Sequence, residues 1–286
     1  MESFDTPDAM RDWSESRRRN GRTIGFVPTM GALHSGHLAL VDDAARRCDD
    51  VVVSIFVNPL QFNEGVDFDR YPRPIDRDLA ACREAGVAAA YVPTGPVMYP
   101  DGFQTRVVPG PLSTLMEGAM RPGHFDGVVT VVTKLFGAVR PHVAIFGEKD
   151  YQQLVIIARM ALDLDTGVEI IGHPIVRDAD GLAQSSRNVR LTTEQRERAV
   201  IVPRSLDAAL TAAAAGGSPV EIVAAARTVV ETEPMARHEY TVVFDAMTLE
   251  PVERLEGPPS AGTVRVATAV WFDDVRLIDN RDLFPD

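Results

Sequence analysis

An α/β fold is predicted, with a doubly wound parallel sheet followed by a smaller α+β domain that carries an antiparallel sheet. Three observations lead there. The first two-thirds of the chain alternate short apolar, β-branched runs with helical segments, the pattern of a parallel sheet covered on both faces. Near residue 176 that alternation gives way to an irregular polar stretch. Beyond it come two Ala-rich helical segments and three alternating runs, as in a helix-backed antiparallel sheet. The 286 residues divide into about two domains of ordinary size, and boundaries of 1–175 and 176–286 follow.

Taken in order, the first strand is expected over 22–29, a helix over 36–48, and a second strand over 51–57. Next come a helix over 76–85, a strand over 88–92, a helix over 128–139, a strand over 143–146, a helix over 151–161 and a strand over 169–175. The polar stretch 177–188 precedes helices over 193–215 and 219–231, separated by the breaker Gly216-Gly217-Ser218-Pro219. Alternating runs over 239–245, 262–270 and 275–278 complete the second domain. In a Rossmann-like sheet of this kind ligands bind at the carboxyl ends of the strands. The loops that begin at Pro28, Asn58 and Gly147 are therefore equivalent places to look for chemistry.

Composition narrows the function. Hydrophobic residues make up 45% and charged residues 24%, and 41 Asp and Glu against 29 Lys and Arg leave a formal charge of −12. That balance opposes non-specific attraction to nucleic acid or to an anionic membrane, and the apolar runs stop short of the ~18 residues a membrane span needs. Cys48 and Cys82 form no ligand-spaced pattern, and the first residues lack the apolar stretch of a secretory signal, so a reducing cytoplasm is the expected location. Only Lys134 and Lys149 among the basic residues are lysines. Where Arg is the default cation, a lysine is a candidate for a compact point charge that a guanidinium fork cannot imitate.

The strongest local signal is Pro28-Thr29-Met30-Gly31-Ala32-Leu33-His34-Ser35-Gly36-His37. It places two imidazoles beside a helix N-terminus, where free N–H groups and the macrodipole favour phosphate. Gly31 and Gly36 allow close approach of a ring or phosphate to the backbone. The same histidines could instead be surface residues at a turn, or a metal pair at i, i+3, although nothing nearby supplies the further ligands zinc wants. The third loop reads Gly147-Glu148-Lys149-Asp150-Tyr151-Gln152-Gln153, in which Lys149 is either aimed at the ligand or paired with an acidic neighbour. Lys134 reads as a snorkelling residue of an apolar helix. At the domain boundary, Gln184-Ser185-Ser186-Arg187-Asn188 offers hydroxyls, a guanidinium and backbone amides that can grip a polyphosphate.

His-x-Gly-His after a first strand, with Ser-Ser-Arg far downstream, resembles the HIGH-type nucleotidyltransferase superfamily. The strings PTMGALHSGH, SIFVNPLQF, YPR, GHFDGVVTVVTKLF, FGEKDYQQL and DGLAQSSRN, in this order, resemble the pantothenate synthetase family, the pantoate–β-alanine ligases. The resemblance implies a cytoplasmic homodimer that uses ATP with Mg2+ to join pantoate to β-alanine through a pantoyl adenylate, on the route to coenzyme A. It also implies site roles. Met30, Gly31, Ala32, Leu33, His34, Ser35, Gly36 and His37 would line the ATP site, with His34 and His37 on the phosphates and His37 the proton donor. Gln61 and Gln153 would hold pantoate, Gln61 also near β-alanine, with Asn58 in support. Gly147 and Glu148 would belong to the nucleotide site, Lys149 would serve phosphate, and Asp150 ribose. Val176 would meet adenine through its backbone, and Gln184, Ser185, Ser186 and Arg187 would close over the triphosphate as part of a lid formed by 176–286.

Two positions depart from the family pattern. Where the family has adjacent acidic residues after Tyr-Pro-Arg, this chain has Asp76-Arg77-Asp78, leaving Asp78 as the expected magnesium ligand; Gln184 stands where the family has Met. Two other functions are weighed against the ligase. A nucleotidylyltransferase acting on a phosphorylated acceptor calls for cations where Gln61 and Gln153 stand, and a non-catalytic nucleotide-binding regulator has no use for both histidines and Lys149.

Overall fold

In a computed structural model, the described residues are 1–62, 65–255 and 260–285. The chain divides into two compact units: Met1–Glu148 with Gln152–Pro174, and Lys149–Tyr151 with the chain from Ile175 onward.

The first unit is built on a six-stranded parallel sheet of order β1-β4-β3-β2-β5-β6, with β1 Glu2–Phe4, β2 Ile24–Thr29, β3 Asp50–Ile55, β4 Ala89–Tyr91, β5 Val143–Gly147 and β6 Glu169–His173. Its larger helices are α1 Pro7–Arg19, α2 Ser35–Arg47, α4 Ile75–Glu84, α7 His124–Val139 and α8 Tyr151–Asp163; α3 Gly65–Arg70, α5 Gly95–Met98 and α6 Met116–Met120 are short. Alternate residues of the strands face opposite ways, and both faces are apolar. Phe26, Val52, Ala144 and Phe146 pack with Met10, Trp13, Val132, Phe136 and Ile157 of α1, α7 and α8. Val27, Val53, Ile55 and Ile145 pack with Val41 and Ala44 of α2 and Cys82 of α4. Burying each large apolar side chain contributes roughly 1.5–3 kcal/mol, and the two-sided demand is what makes the strands near-continuous apolar runs. The chain leaves β2 toward β3 and β4 on one side and returns to β5 and β6 on the other, so the order reverses at β2, where such sheets place their ligands.

The second unit carries a three-stranded antiparallel sheet, β7 Ala236–Asp245, β8 Val264–Phe272 and β9 Val275–Asp282, with helices α9 Thr193–Arg198, α10 Ile201–Ala214 and α11 Pro219–Glu231. Leu206, Ala209, Ile222 and Ala226 of α10 and α11 pack on Val243, Val264 and Val266 of the sheet. No helix among the described residues is long and apolar enough to cross a membrane.

The α/β architecture agrees with expectation, and the differences have local causes. β1 is not expected from the sequence, because three residues of which two are exposed carry no apolar period; it forms by pairing with β4. α1 is likewise unannounced: it is rich in charged residues, and a Thr6 side chain capping the Ala9 N–H, with Pro7 in the first turn, starts it instead. The single helix expected over 193–215 is two, α9 and α10. Pro203 has no N–H for the Ala199 carbonyl, which accepts from Val202 instead, so the helical ladder is interrupted there.

Candidate active site

The loop that follows β2 is held by side chains on two other elements. Thr29 Oγ1 donates to the Ser54 carbonyl of β3 at 2.7 Å and accepts the Gly31 N–H at 3.1 Å. Gly31 has φ +82°, and a Cβ there would lie 2.9 Å from Asp78 Oδ2 and 3.0 Å from Ile55 Cγ2, so the loop passes where no side chain fits. Ala32 also has a left-handed backbone, at φ 52°. What holds it is Asp78 on α4: its two carboxylate oxygens accept the N–H groups of Ala32 and Leu33, each at 2.8 Å.

Asp78, the residue expected to bind magnesium, therefore also serves as an anchor of this loop. The residue is 1% exposed and both of its oxygens are occupied by backbone donors. Among the described residues no group of three or more His, Cys, Asp or Glu is placed so that it could hold a metal ion.

His34 is the N-cap of α2 and His37 lies on its first turn. His34 Nδ1 accepts the Gly36 N–H at 3.1 Å, and His37 Nδ1 accepts the His34 N–H at 3.4 Å, a capping box made of imidazoles. A ring nitrogen that accepts cannot carry the proton, so each ring holds its proton on Nε2. The ring centroids are 4.1 Å apart, and the first turn of α2 contains no acidic residue. Two N–H donors and a helix N-terminus together suit a phosphate oxygen.

Gln61 lies in a 3-10 turn, Pro59–Gln61, that follows β3, and it is brought to the same loop: its Nε2 is 3.3 Å from Met30 Sδ. Its Oε1 accepts from Asn58 Nδ2 at 2.9 Å, and its backbone carbonyl accepts from His124 Nδ1 at 2.7 Å and Arg121 at 3.2 Å. α7 comes this close because residue 127 is glycine; a Cβ there would stand 2.3 Å from the Leu60 carbonyl oxygen. Met30, Asn58, Gln61 and the Asp78-anchored loop thus form one cluster of the first unit. Gln153 is half-buried on α8. Its neighbour Gln152 is buried and fixes the segment 112–117, donating to the Leu112 and Leu115 carbonyls and accepting the Glu117 N–H.

The remaining candidates belong to other stretches. Gly147 ends β5 and Glu148 opens a 3-10 turn, Glu148–Asp150. Lys149, grouped with the second unit, has a largely buried side chain with Nζ 3.6 Å from Asp150 Oδ2, and its carbonyl accepts from Asn280. Lys134 lies over the Phe103 ring at 5.3 Å. The polar stretch is a tight hairpin in which Gln184 N–H donates to the Val176 carbonyl and Arg177 bridges Ala183. Gln184 Nε2 donates to Asp178 at 2.9 Å, Ser185 Oγ accepts the Arg187 N–H at 3.2 Å, and Arg177 is locked by a bidentate pair to Asp279 at 2.6 and 2.9 Å. Ser186 lies between Ser185 and Arg187 at the hairpin's exit.

Sequence reasoning did not single out Tyr99, Arg121, His124 or Gln152 as parts of this arrangement. For His124 and Gln152 a signal existed, since they lie within the quoted strings GHFDGVVTVVTKLF and FGEKDYQQL; Tyr99 and Arg121 lie in stretches with no marking pattern.

Comparison with known proteins covers nearly the whole chain. The family Pantoate-beta-alanine ligase matches residues 2–282. Pantothenate synthetases of Desulfatibacillum aliphaticivorans and Agrobacterium fabrum are 48% and 51% identical, the first over the whole of both chains and the second over 98% of this chain and 95% of its own. The crystal structure of pantothenate synthetase from Thermus thermophilus superposes with a TM-score of 0.92 at 46% identity, covering all of both chains. That of pantoate-beta-alanine ligase from Francisella tularensis, complexed with beta-gamma ATP and beta-alanine, does so with a TM-score of 0.80 at 32% identity, covering 99% of this chain and 98% of its own. The family match spans nearly every residue, the relatives are about half identical over their full length, and the chain belongs to the pantoate-beta-alanine ligase family.

Proposed function

We propose that the chain joins pantoate to β-alanine at the expense of ATP, releasing pyrophosphate and then AMP. The observation that carries the reading is the pair of Nε2–H imidazoles at the N-terminus of α2, next to a loop that brings Met30 against the donor end of Gln61. In the first step a pantoate carboxylate oxygen attacks the α-phosphorus, the bond to the bridging oxygen breaks, and pyrophosphate leaves with that electron pair. His34 and His37 donate to phosphoryl oxygens as charge develops, and His37 supplies the proton. Gln61 and Gln153 hold pantoate, with Asn58 behind Gln61. Neutral amide donors orient a carboxylate without the ground-state stabilisation of a full ion pair, which would blunt it as a nucleophile. In the second step the β-alanine amine attacks the acyl carbon, the bond from that carbon to the phosphate oxygen breaks so that AMP leaves with its electron pair, and the nitrogen releases a proton to solvent.

The reading gives Met30–His37, Gly147 and Glu148 to the nucleotide site, Lys149 to phosphate, Asp150 to ribose and the Val176 backbone to adenine. Gln184, Ser185, Ser186 and Arg187 act on the triphosphate, within a lid of 176–286 that closes on an ATP- and pantoate-binding domain of 1–175. Magnesium accompanies ATP chemistry in general by neutralising phosphate charge, and Asp78 is the carboxylate this reading assigns to it. A homodimer located in the cytoplasm completes the reading; light scattering at twice the chain mass of 31.2 kDa tests the dimer.

The deciding experiment measures pyrophosphate and AMP release from Mg-ATP with pantoate alone, then with β-alanine added. The expected result is a pantoate-dependent burst of pyrophosphate, followed by β-alanine-dependent AMP and pantothenate. Absence of any pantoate dependence overturns the reading.

A further inference from the structure

The orientation of the Gln61 amide is imposed by a chain of groups that ends at Tyr99. Asn58 is 1% exposed, and each end of its amide faces a backbone group with only one role to play. Nδ2 donates to the Gly127 carbonyl at 3.0 Å, and Oδ1 accepts the Leu60 N–H at 3.3 Å. Turning this amide over would set acceptor against acceptor and donor against donor, a doubly unsatisfied buried arrangement. The second proton on Nδ2 goes to Gln61 Oε1 at 2.9 Å, so the acceptor of Gln61 is used inside the protein and its Nε2 is turned to the Met30 side. Tyr99 closes the chain: its hydroxyl donates to Asn58 Oδ1 at 2.7 Å, the shortest bond of the series. The Tyr99 ring is held between Phe56 and Phe103, with centroids 6.1 and 5.0 Å away. Burial pushes its phenol above the usual range, which keeps the proton on oxygen and the hydroxyl a donor.

We propose that Tyr99 is a positioning residue that acts through Asn58 to present Gln61 as a hydrogen-bond donor, selecting a ligand with an acceptor oxygen, carboxylate or hydroxyl, at that point. Without the Tyr99 hydroxyl, Asn58 Oδ1 keeps only the longer bond to Leu60. The Asn58 amide is then held less firmly, the bond from its Nδ2 to Gln61 Oε1 weakens, and a Gln61 amide that turns the other way offers an oxygen that repels a carboxylate. The inference rests on the reading that Gln61 holds pantoate, and its test separates the two.

Tyr99→Phe removes the hydroxyl and leaves the ring between its two aromatic neighbours. Pantoate affinity is measured by calorimetry on the full chain, and KM for ATP by steady-state kinetics, in the wild type, Tyr99→Phe, Gln61→Ala and the double variant. Loss of one neutral hydrogen bond predicts pantoate binding weakened about fivefold in Tyr99→Phe, with KM for ATP unchanged and no further loss when the substitution is added to Gln61→Ala. An unchanged pantoate affinity in Tyr99→Phe, the same loss persisting in the Gln61→Ala background, or an equal rise in KM for ATP each overturns the relay alone. An unchanged affinity in Gln61→Ala overturns the assignment of pantoate to Gln61, and the relay with it.

Discussion

Asp78 offers a direct test of how the loop after β2 is held. Its carboxylate accepts two backbone N–H groups at 2.8 Å each while being 1% exposed, and the backbone it holds has φ 82° at Gly31 and 52° at Ala32. Asp78→Asn keeps the shape but turns one oxygen into an amino group that cannot accept, leaving one buried N–H unsatisfied at about 1–3 kcal/mol. Asp78→Ala abandons both, for roughly 2–6 kcal/mol if the loop does not relax. Relaxation releases the loop that leads into His34, so part of the cost should surface as weaker ATP binding; a tenfold rise in KM corresponds to about 1.4 kcal/mol. Urea midpoints and KM for ATP are measured at several magnesium concentrations, and the expected order of both effects is alanine beyond asparagine. Wild-type stability with a change confined to magnesium dependence would refute the anchoring argument and leave Asp78 as a metal ligand alone.

Further expectations concern other parts of the site and the fold. His37→Ala and Lys149→Ala should each lower pantoate-dependent pyrophosphate release by about a hundredfold or more in a chain that still folds, and near-normal rates in either variant contradict the assigned role. Gly127→Ala drives a Cβ to within 2.3 Å of the Leu60 carbonyl oxygen, so the urea midpoint should fall by the equivalent of about 1–3 kcal/mol and KM for pantoate should rise; wild-type values for both would show that α7 does not brace Gln61. His142 is held below its ordinary 6.5 by burial and then by Arg18, and its Nδ1 accepts the Ile24 N–H at 2.9 Å. Its neutral form belongs to the fold, whereas the unfolded chain takes up the proton first as pH falls. Its contribution to stability is therefore complete above pH 6.5 and is lost as pH drops from there through the folded value. In His142→Gln that part of the pH slope in urea unfolding should disappear, and an identical slope in the variant would refute the assignment.

Much of this protein can be read from local pattern. β2, β3 and β5 are apolar runs because both faces of their sheet are covered, and a run of that kind announces itself in a single sequence. His34 and His37 are three residues apart at a strand-to-helix junction, so their place at the N-terminus of α2 follows from spacing alone. Pro203 is equally visible, yet a single helix over 193–215 gives it too little weight; a proline inside the first turn of one helix is the stop of the helix before it.

Tertiary structure alone decided what the other groups do. β1 has no apolar period and exists through its pairing with β4. Asp78 reads as a metal ligand beside Asp76 and Arg77, and becomes an anchor as well only because the fold brings two backbone N–H groups from positions 45 and 46 residues away. Gln61 could be named as a polar contact, but which end of its amide faces a ligand depends on Asn58, on the Gly127 carbonyl 69 residues from Asn58, and on Tyr99, 41 residues from it. Sequence by itself determined the sheet, the imidazole pair and the family, since these rest on periodicity and contiguous motifs. The direction of the hydrogen bonds and the work of Asp78 rest on groups distant in the chain meeting at short range, which only the folded structure can arrange.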